Sequence, residues 1–271
     1  MLIVEDHGRV RVVTFDRPDA LNAFNEALYD ATAEALIDAE RASGIAVVVV
    51  TGSGRAFSAG TDVVEMAARA TDPDSFTPGT HGFRGLVDRL AAFPKPLLCA
   101  VNGMALGIGA TMLGYAELVL MSTEARVRCP FTDLAVAPEA ASSYLFPLML
   151  GRQQASWLLM SSEWFDAEQC AQIGLAWKVV APDELMSATL DVAQRLAAKP
   201  IASLVETKRT IIAAHRDAIV AARAREDRAF ARLLGGPANL EAFAALGQRR
   251  EPDFAGVDAA HPVDTDLHRA D

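Results

Sequence analysis

Two glycine-bearing turns carry the first hint of chemistry. GRAFSAGTDVVEM, residues 54–66, follows the apolar run VVVVTG, and NGMALGIGATML, residues 102–113, follows LLCAV. A phosphate loop is the first use to test, because glycine lets backbone approach a ligand closely. It fails: no Lys-Ser/Thr follows Gly107 or Gly109, and Gly103, Gly107 and Gly109 do not have the dinucleotide spacing G-x-G-x-x-G. In both stretches small residues precede a helical pattern whose first amides have no intrahelical acceptor. Two such turns side by side would aim two N–H groups at one oxygen, an oxyanion hole for a carbonyl that gains negative charge during reaction. Each donor is worth roughly 3 kcal/mol in a transition state. A purely structural strand-to-helix turn is the alternative, and periodicity does not show that the turns converge.

The side chains add little that is independent of these turns. His7 falls in a turn, His81 in the loop region TDPDSFTPGTHG, His215 on a long charged helix, and His261 and His268 in the tail. None has metal-ligand spacing, and no Ser-His-Asp set stands out. Cys99, Cys129 and Cys170 lie in or beside apolar sequence, as expected of buried reduced thiols in a reducing compartment.

The elements that must position the turns read as α/β. LIVEDHGRVRVVTF predicts two short strands turning at His7-Gly8, and a helix follows over about 25–42 with Leu28, Ala31, Ala35 and Leu36 on its apolar face. IAVVVVTG is apolar throughout, as expected of a strand covered on both faces. A helix ending near Phe93, the strand PLLCAV, the glycine segment and the strand AELVLMS repeat the pattern, which implies largely parallel pairing. From Leu145 onward helices dominate, with short apolar strands such as LAWKVV. The Ala- and Arg-rich stretch 201–234 predicts one amphipathic helix, suited to a lid or an assembly module, and GGPANLEAFAALGQRREPDF a last short one. The division expected is a core over 1–200, a helical region over 201–254 and a loosely held polar tail over 255–271.

With 51% hydrophobic and 22% charged residues, the 271-residue chain is globular in composition. Its formal charge of −10 disfavours a general nucleic-acid or anionic-membrane binder. MLIVEDHGRVRVVTF has no signal-type apolar core, and no run approaches a membrane span, so the expectation is a soluble, cytoplasmic protein.

RAFSAGTDVVEM, AVNGMALGIGA and PFTDLAVAPEAASSYLFPLMLG, in that order, resemble the crotonase (enoyl-CoA hydratase/isomerase) superfamily. The resemblance runs from VTFDRPDALNAF through FDAEQCAQIGLAWKVVAPDEL to LEAFAALGQRREPDF, covering roughly residues 1–254. It implies a crotonase-like α/β spiral of repeated ββα units with a helical C-terminal trimerisation region. It also implies homotrimers, often paired into hexamers, and an acyl-CoA thioester as substrate, with no separate cofactor and no metal. By motif position the oxyanion amides would belong to Thr61 and Ile108. The coenzyme A moiety would run along the AFSAG strand end and the DAL turn, which implicates Ala56, Ser58, Ala59, Asp19 and Leu21, with Gly60, Asp62 and Gly107 beside the thioester. Asp62 also suits the N-cap of the helix VVEMAARA.

Hydratases of the family use two glutamates around a water. The positions that would carry them hold Thr111 and Phe131 here, and neither side chain can act as a base near neutrality. Another carboxylate, Glu139 in VAPEAASSY, stands where the enoyl-CoA isomerases of the superfamily carry their base. The resemblance therefore implies a Δ3,Δ2-enoyl-CoA isomerase-like enzyme with Glu139 as proton shuttle. Asp133 is the rival base, and a favourable charge at a helix N-terminus is the structural alternative for Glu139. Hydration, hydrolysis or decarboxylation of another acyl-CoA is the second reading, and a non-catalytic acyl-CoA-binding subunit the third. The segment 71–82 is a candidate cover for the acyl chain.

Overall fold

The computed structural model describes residues 1–63, 65 and 77–262. The chain opens with an antiparallel hairpin, β1 (Leu2–His7) and β2 (Val10–Phe15), followed by α1 (Glu26–Arg41). The Asn25 side chain starts α1 by accepting the Leu28 amide, which leaves one fewer orphan donor at the helix start.

Strand pairs then recur. β3 (Val47–Gly52) is followed by β4 (Ala56–Ser58), β5 (Leu97–Val101) by β6 (Met104–Leu106), and β7 (Leu118–Ser122) by β8 (Arg126–Arg128). In each pair the first strand joins a six-stranded sheet and the second a four-stranded one. With β10 (Lys178–Val180) the larger sheet has the order β1-β2-β3-β5-β7-β10, parallel throughout except for the opening hairpin. β4, β6 and β8 are parallel, and the two-residue β9 (Phe165–Asp166) closes the smaller sheet antiparallel. This is the expected α/β spiral of repeated ββ units.

β3 explains its own sequence. Val48 and Val50 enter the main core beside α1 and α2 (Gly82–Ala92), while Val47 and Val49 face a second cluster with Leu185, Val192 and Ala193. Both faces are covered, so a continuous β-branched run is required.

After β6 come the one-turn α3 (Ile108–Thr111) and a 3-10 turn (Met112–Tyr115). The helical remainder is α4 (Ser142–Leu150), α5 (Arg152–Met160), α6 (Ala167–Gln172), α7 (Leu185–Ala197), α8 (Ile201–Ala213), α9 (Arg216–Leu233), α10 (Pro237–Gln248) and α11 (Phe254–Ala260). One expectation needs correction. The helix over 201–234 is broken at Ala214–His215, so His215 is not inside a helix; its Nδ1 instead bonds the Tyr144 hydroxyl at 2.8 Å. The polar tail begins within the short α11, which buries no residue and which Asp253 caps by accepting the Gly256 amide at 2.9 Å. Across the expected boundary at 200, Ile219 and Ala222 of α9 join the same buried cluster as β3 and α3. All three cysteines are free and buried, and no described helix is long and apolar enough to cross a membrane.

Candidate active site

The two glycine turns meet. β4 and β6 are parallel neighbours, so the turns that leave them lie side by side. Gly60 has φ +83°, and a Cβ there would stand 2.8 Å from the Leu106 carbonyl and 3.6 Å from the Gly107 Cα. Gly107, with φ +53°, turns the other chain into α3. Larger residues would separate the turns or strain them. Gly109 packs as closely from α3, where a Cβ would lie 2.8 Å from the Ser58 carbonyl.

The next residue of each turn presents its amide. Thr61 makes a parallel bridge with Phe24, in which the Phe24 amide donates to Gly60 O at 2.7 Å and the Asp62 amide to Phe24 O at 2.9 Å. That pattern uses the groups flanking Thr61 and leaves its own N–H pointing away from Phe24. Ile108 is the first residue of α3, where the Gly107 carbonyl accepts the Ala110 and Thr111 amides at 2.8 and 2.9 Å. Among the described residues, neither the Thr61 nor the Ile108 amide meets a hydrogen-bond acceptor. Both are orphan donors in adjacent turns.

Glu139 stands at the same place. The Thr111 hydroxyl donates to its Oε1 at 2.6 Å, and Thr111 is one helical turn, about 4.5 Å of rise, from Ile108. Oε2 is buried and, among the described residues, has no hydrogen-bond partner. Burial pushes the carboxyl up to about 8, with the Thr111 hydrogen bond opposing the rise and the charge of Glu226 adding to it. Thr111, at the position where the resemblance would put a hydratase carboxylate, thus holds Glu139. Phe131 is buried, and Asp133, the rival base, is half-exposed at the surface and ion-paired to Arg128.

The other expected contacts divide into rim and scaffold. Leu21 (φ +52°) accepts the Ala59 amide at 2.9 Å, so the DAL turn is laced to the turn that ends in Thr61, with Asp19 exposed on its approach. Ala56 and Ser58 are buried and their side chains serve the fold. Ser58 Oγ donates to the Asn22 carbonyl at 2.8 Å and accepts the Gly60 amide at 3.1 Å. Asp62 accepts the Glu65 amide at 3.3 Å, as an N-cap does, and pairs with Arg17 at 3.1 Å. Apart from Val63 and Glu65, the helix it was expected to start lies outside the described residues, as do residues 71–76 of the segment 71–82.

Three contributors were not legible beforehand. Asn22, fully buried with φ +56°, donates to Ser53 O and Ala56 O and so ties the turn to β4. Tyr29 is buried on α1, and its hydroxyl bonds Thr61 Oγ1 at 2.9 Å; burial raises its pKa, and Glu139 is among the charges that raise it further. Glu226, on α9, binds the turn after Glu139. Asn in a tight turn is a usable signal, whereas Tyr29 reads as ordinary core and Glu226 as a solvated helix charge.

Residues 5–256 match the family model described as enoyl-CoA hydratase/isomerase. The chain is 33% identical over 250 residues to a 1,2-epoxyphenylacetyl-CoA isomerase of Escherichia coli, covering 91% of this chain and 95% of that protein. To a 2,3-dehydroadipyl-CoA hydratase of the same organism it is 33% identical over 257 residues, with coverages of 94% and 98%. Among solved structures, an enoyl-CoA hydratase from Mycobacterium marinum is 60% identical, covers 78% of this chain and 98% of its own, and superposes with a TM-score of 0.75. An enoyl-CoA hydratase/isomerase from Pseudoalteromonas atlantica, 33% identical with coverages of 93% and 99%, gives 0.86.

Proposed function

Because the chain belongs to the enoyl-CoA hydratase/isomerase family and so is an acyl-CoA-processing enzyme, we propose that it shifts the double bond of a 3-enoyl-CoA to the 2-position, with Glu139 as the single proton carrier. The Glu139 carboxylate takes a proton from C2. The C2–H electron pair flows toward the thioester carbonyl, and the resulting dienolate oxygen accepts hydrogen bonds from the Thr61 and Ile108 amides. The C3–C4 double bond then takes the proton back from Glu139 at C4, leaving the conjugated 2-enoyl thioester. No net proton is gained or lost, and no cofactor is needed.

The observation that carries this reading is the state of the carboxyl: Oε1 is held by Thr111, on the one-turn helix that Ile108 begins, while Oε2 is buried and, among the described residues, unpartnered. A group titrating near 8 serves as base and acid at neutral pH. The hydratase names of several relatives favour water addition instead, but Thr111 and Phe131 leave no second carboxylate at the family's hydratase positions. Asp19, Leu21 and Ala59 form the rim proposed to meet the coenzyme A moiety, with Gly60, Asp62 and Gly107 shaping the thioester end. Exposed Ile211, Val220, Leu233, Leu240 and Leu246 on α8 to α10 support assembly into trimers or hexamers.

Purified protein given 3-hexenoyl-CoA is expected to form the conjugated 2-enoyl product, seen by ultraviolet absorbance, and Glu139→Gln to abolish it with the fold retained. No turnover across several chain lengths would sink the reading. Release of free CoA, or water addition that survives Glu139→Gln, would replace it with another crotonase-type reaction.

A further inference from the structure

The carboxylate of Glu226 lies 85 residues from the loop it serves. It is 5% exposed on α9, with Oε2 accepting the Ala141 amide at 2.6 Å and Oε1 the Ser143 amide at 2.8 Å. These residues begin α4, immediately after Glu139. The turn between them is unusual, because Ala140 and Ala141 both have positive φ, 57° and 58°, a conformation that alanine adopts at a cost. Something must hold it. The Tyr115 hydroxyl donates to the Ala140 carbonyl at 2.7 Å, and the Ser142 hydroxyl donates to the Glu139 carbonyl at 2.7 Å. Glu226 takes the two amides that point the other way, and it meets α4 where a negative charge is favoured.

We infer that Glu226 is a positioning residue: from the C-terminal helical region it fixes the strained Ala140–Ala141 turn that aims Glu139, and it brings a second carboxylate to that turn. Burial raises the Glu226 carboxyl above its ordinary range, and the two amides on its two oxygens oppose that rise by favouring the ionised form. The other ionisable groups near Glu139 are Tyr29 from α1, Tyr115 after α3 and Cys129 after β8, each kept neutral by burial. Around Glu226 stand Asp227, ion-paired to Arg84, and Arg223, ion-paired to Asp88. Among the described residues, Glu226 is thus the charge that bears on the Glu139 carboxyl, raising its affinity for a proton. The region expected from sequence to be a lid or an assembly module reaches the turn that follows the candidate catalytic group.

The inference rests on Glu139 being the working carboxylate, and its test keeps the two apart. Glu226→Gln keeps the length and loses the charge; Glu226→Asp keeps the charge and falls one methylene short of the amides. The Glu139 carboxyl is followed by ¹³C NMR titration, which needs no turnover, beside kcat and KM for 3-hexenoyl-CoA. In Glu226→Gln the Glu139 midpoint is expected to fall by about one pH unit, with kcat down at least ten-fold and KM within two-fold. In Glu226→Asp the midpoint stays near the wild-type value while kcat still falls. Should Glu226→Gln not fold, Glu226→Asp decides, since an unchanged kcat there overturns the positioning role. An unmoved midpoint in a folded Glu226→Gln overturns the electrostatic role. Failure of wild-type protein to isomerise, with the NMR shift present, defeats the proposed reaction and leaves the Glu226 inference standing.

Discussion

Replacing Thr111 by Val should move the pH dependence of the enzyme and leave its high-pH activity largely intact. The substitution keeps the volume of a fully buried residue and removes the hydroxyl that donates to Glu139 Oε1 at 2.6 Å. A hydrogen bond to a charged group is worth about 1.5–3 kcal/mol, and one pKa unit about 1.4 kcal/mol, so losing it raises the carboxyl by about one to two units. The starting point is about 8, already raised by burial. The sign follows from the base role: the reaction begins with ionised Glu139, so kcat/KM rises with pH through the free-enzyme midpoint. In Thr111→Val that midpoint should lie near 9 to 10, and at pH 7 kcat/KM should fall by roughly 10- to 100-fold. Above pH 10 the variant should recover to within several-fold of wild type. The assay is kcat/KM for 3-hexenoyl-CoA across the alkaline range with circular dichroism as a folding check. A midpoint that does not move, or a loss equal at every pH, would refute the reasoning.

Other perturbations test the surrounding frame. Glu139 keeps its proton in the folded state up to about 8 but loses it near 4.5 when unfolded, so its contribution is fully present below 4.5 and is lost as pH rises to 8. Glu139→Gln, which cannot ionise, should therefore gain on wild type by on the order of 3–5 kcal/mol between those limits, measured by urea unfolding at each pH. Gly60→Ala places a methyl 2.8 Å from the Leu106 carbonyl at φ +83°. It should cost about 1–3 kcal/mol of stability and at least ten-fold in kcat, because it separates the turns that carry both amides. Lys208→Met removes a buried ammonium that bonds Glu117 at 2.9 Å and the Lys95 carbonyl at 3.0 Å. As Glu117 is partly exposed, the loss should be about 2 kcal/mol, below the range for a fully buried pair, with kcat at 20 °C within two-fold of wild type.

Legibility in the sequence followed the range of the interactions. β3 was readable because both of its faces are buried, and α1 because Asn25 and the apolar spacing mark its start and its inward face. β4 and β6 were not readable as strands: each has three residues, too few for a period to register, and their pairing is what brings the oxyanion candidates together. Glu139, Thr61 and Ile108 came from motif position. The Thr111–Glu139 bond spans 28 residues and the Glu226–Ala141 bond 85, and no local pattern encodes either. The break at Ala214–His215 leaves no local signal because both flanking segments are good helix formers, and the contact that accompanies it, Tyr144 to His215, is again tertiary.

The central claim, that one carboxylate carries one proton from C2 to C4, is tested most directly by isotope transfer. A 3-enoyl-CoA deuterated at C2 is converted in ordinary water, and the deuterium at C4 of the 2-enoyl product is measured by mass spectrometry and NMR. A buried Glu139 that exchanges slowly with solvent predicts deuterium at C4 well above background, and no product from Glu139→Gln. Product free of C4 deuterium, formed as fast by Glu139→Gln as by wild type, would contradict the account.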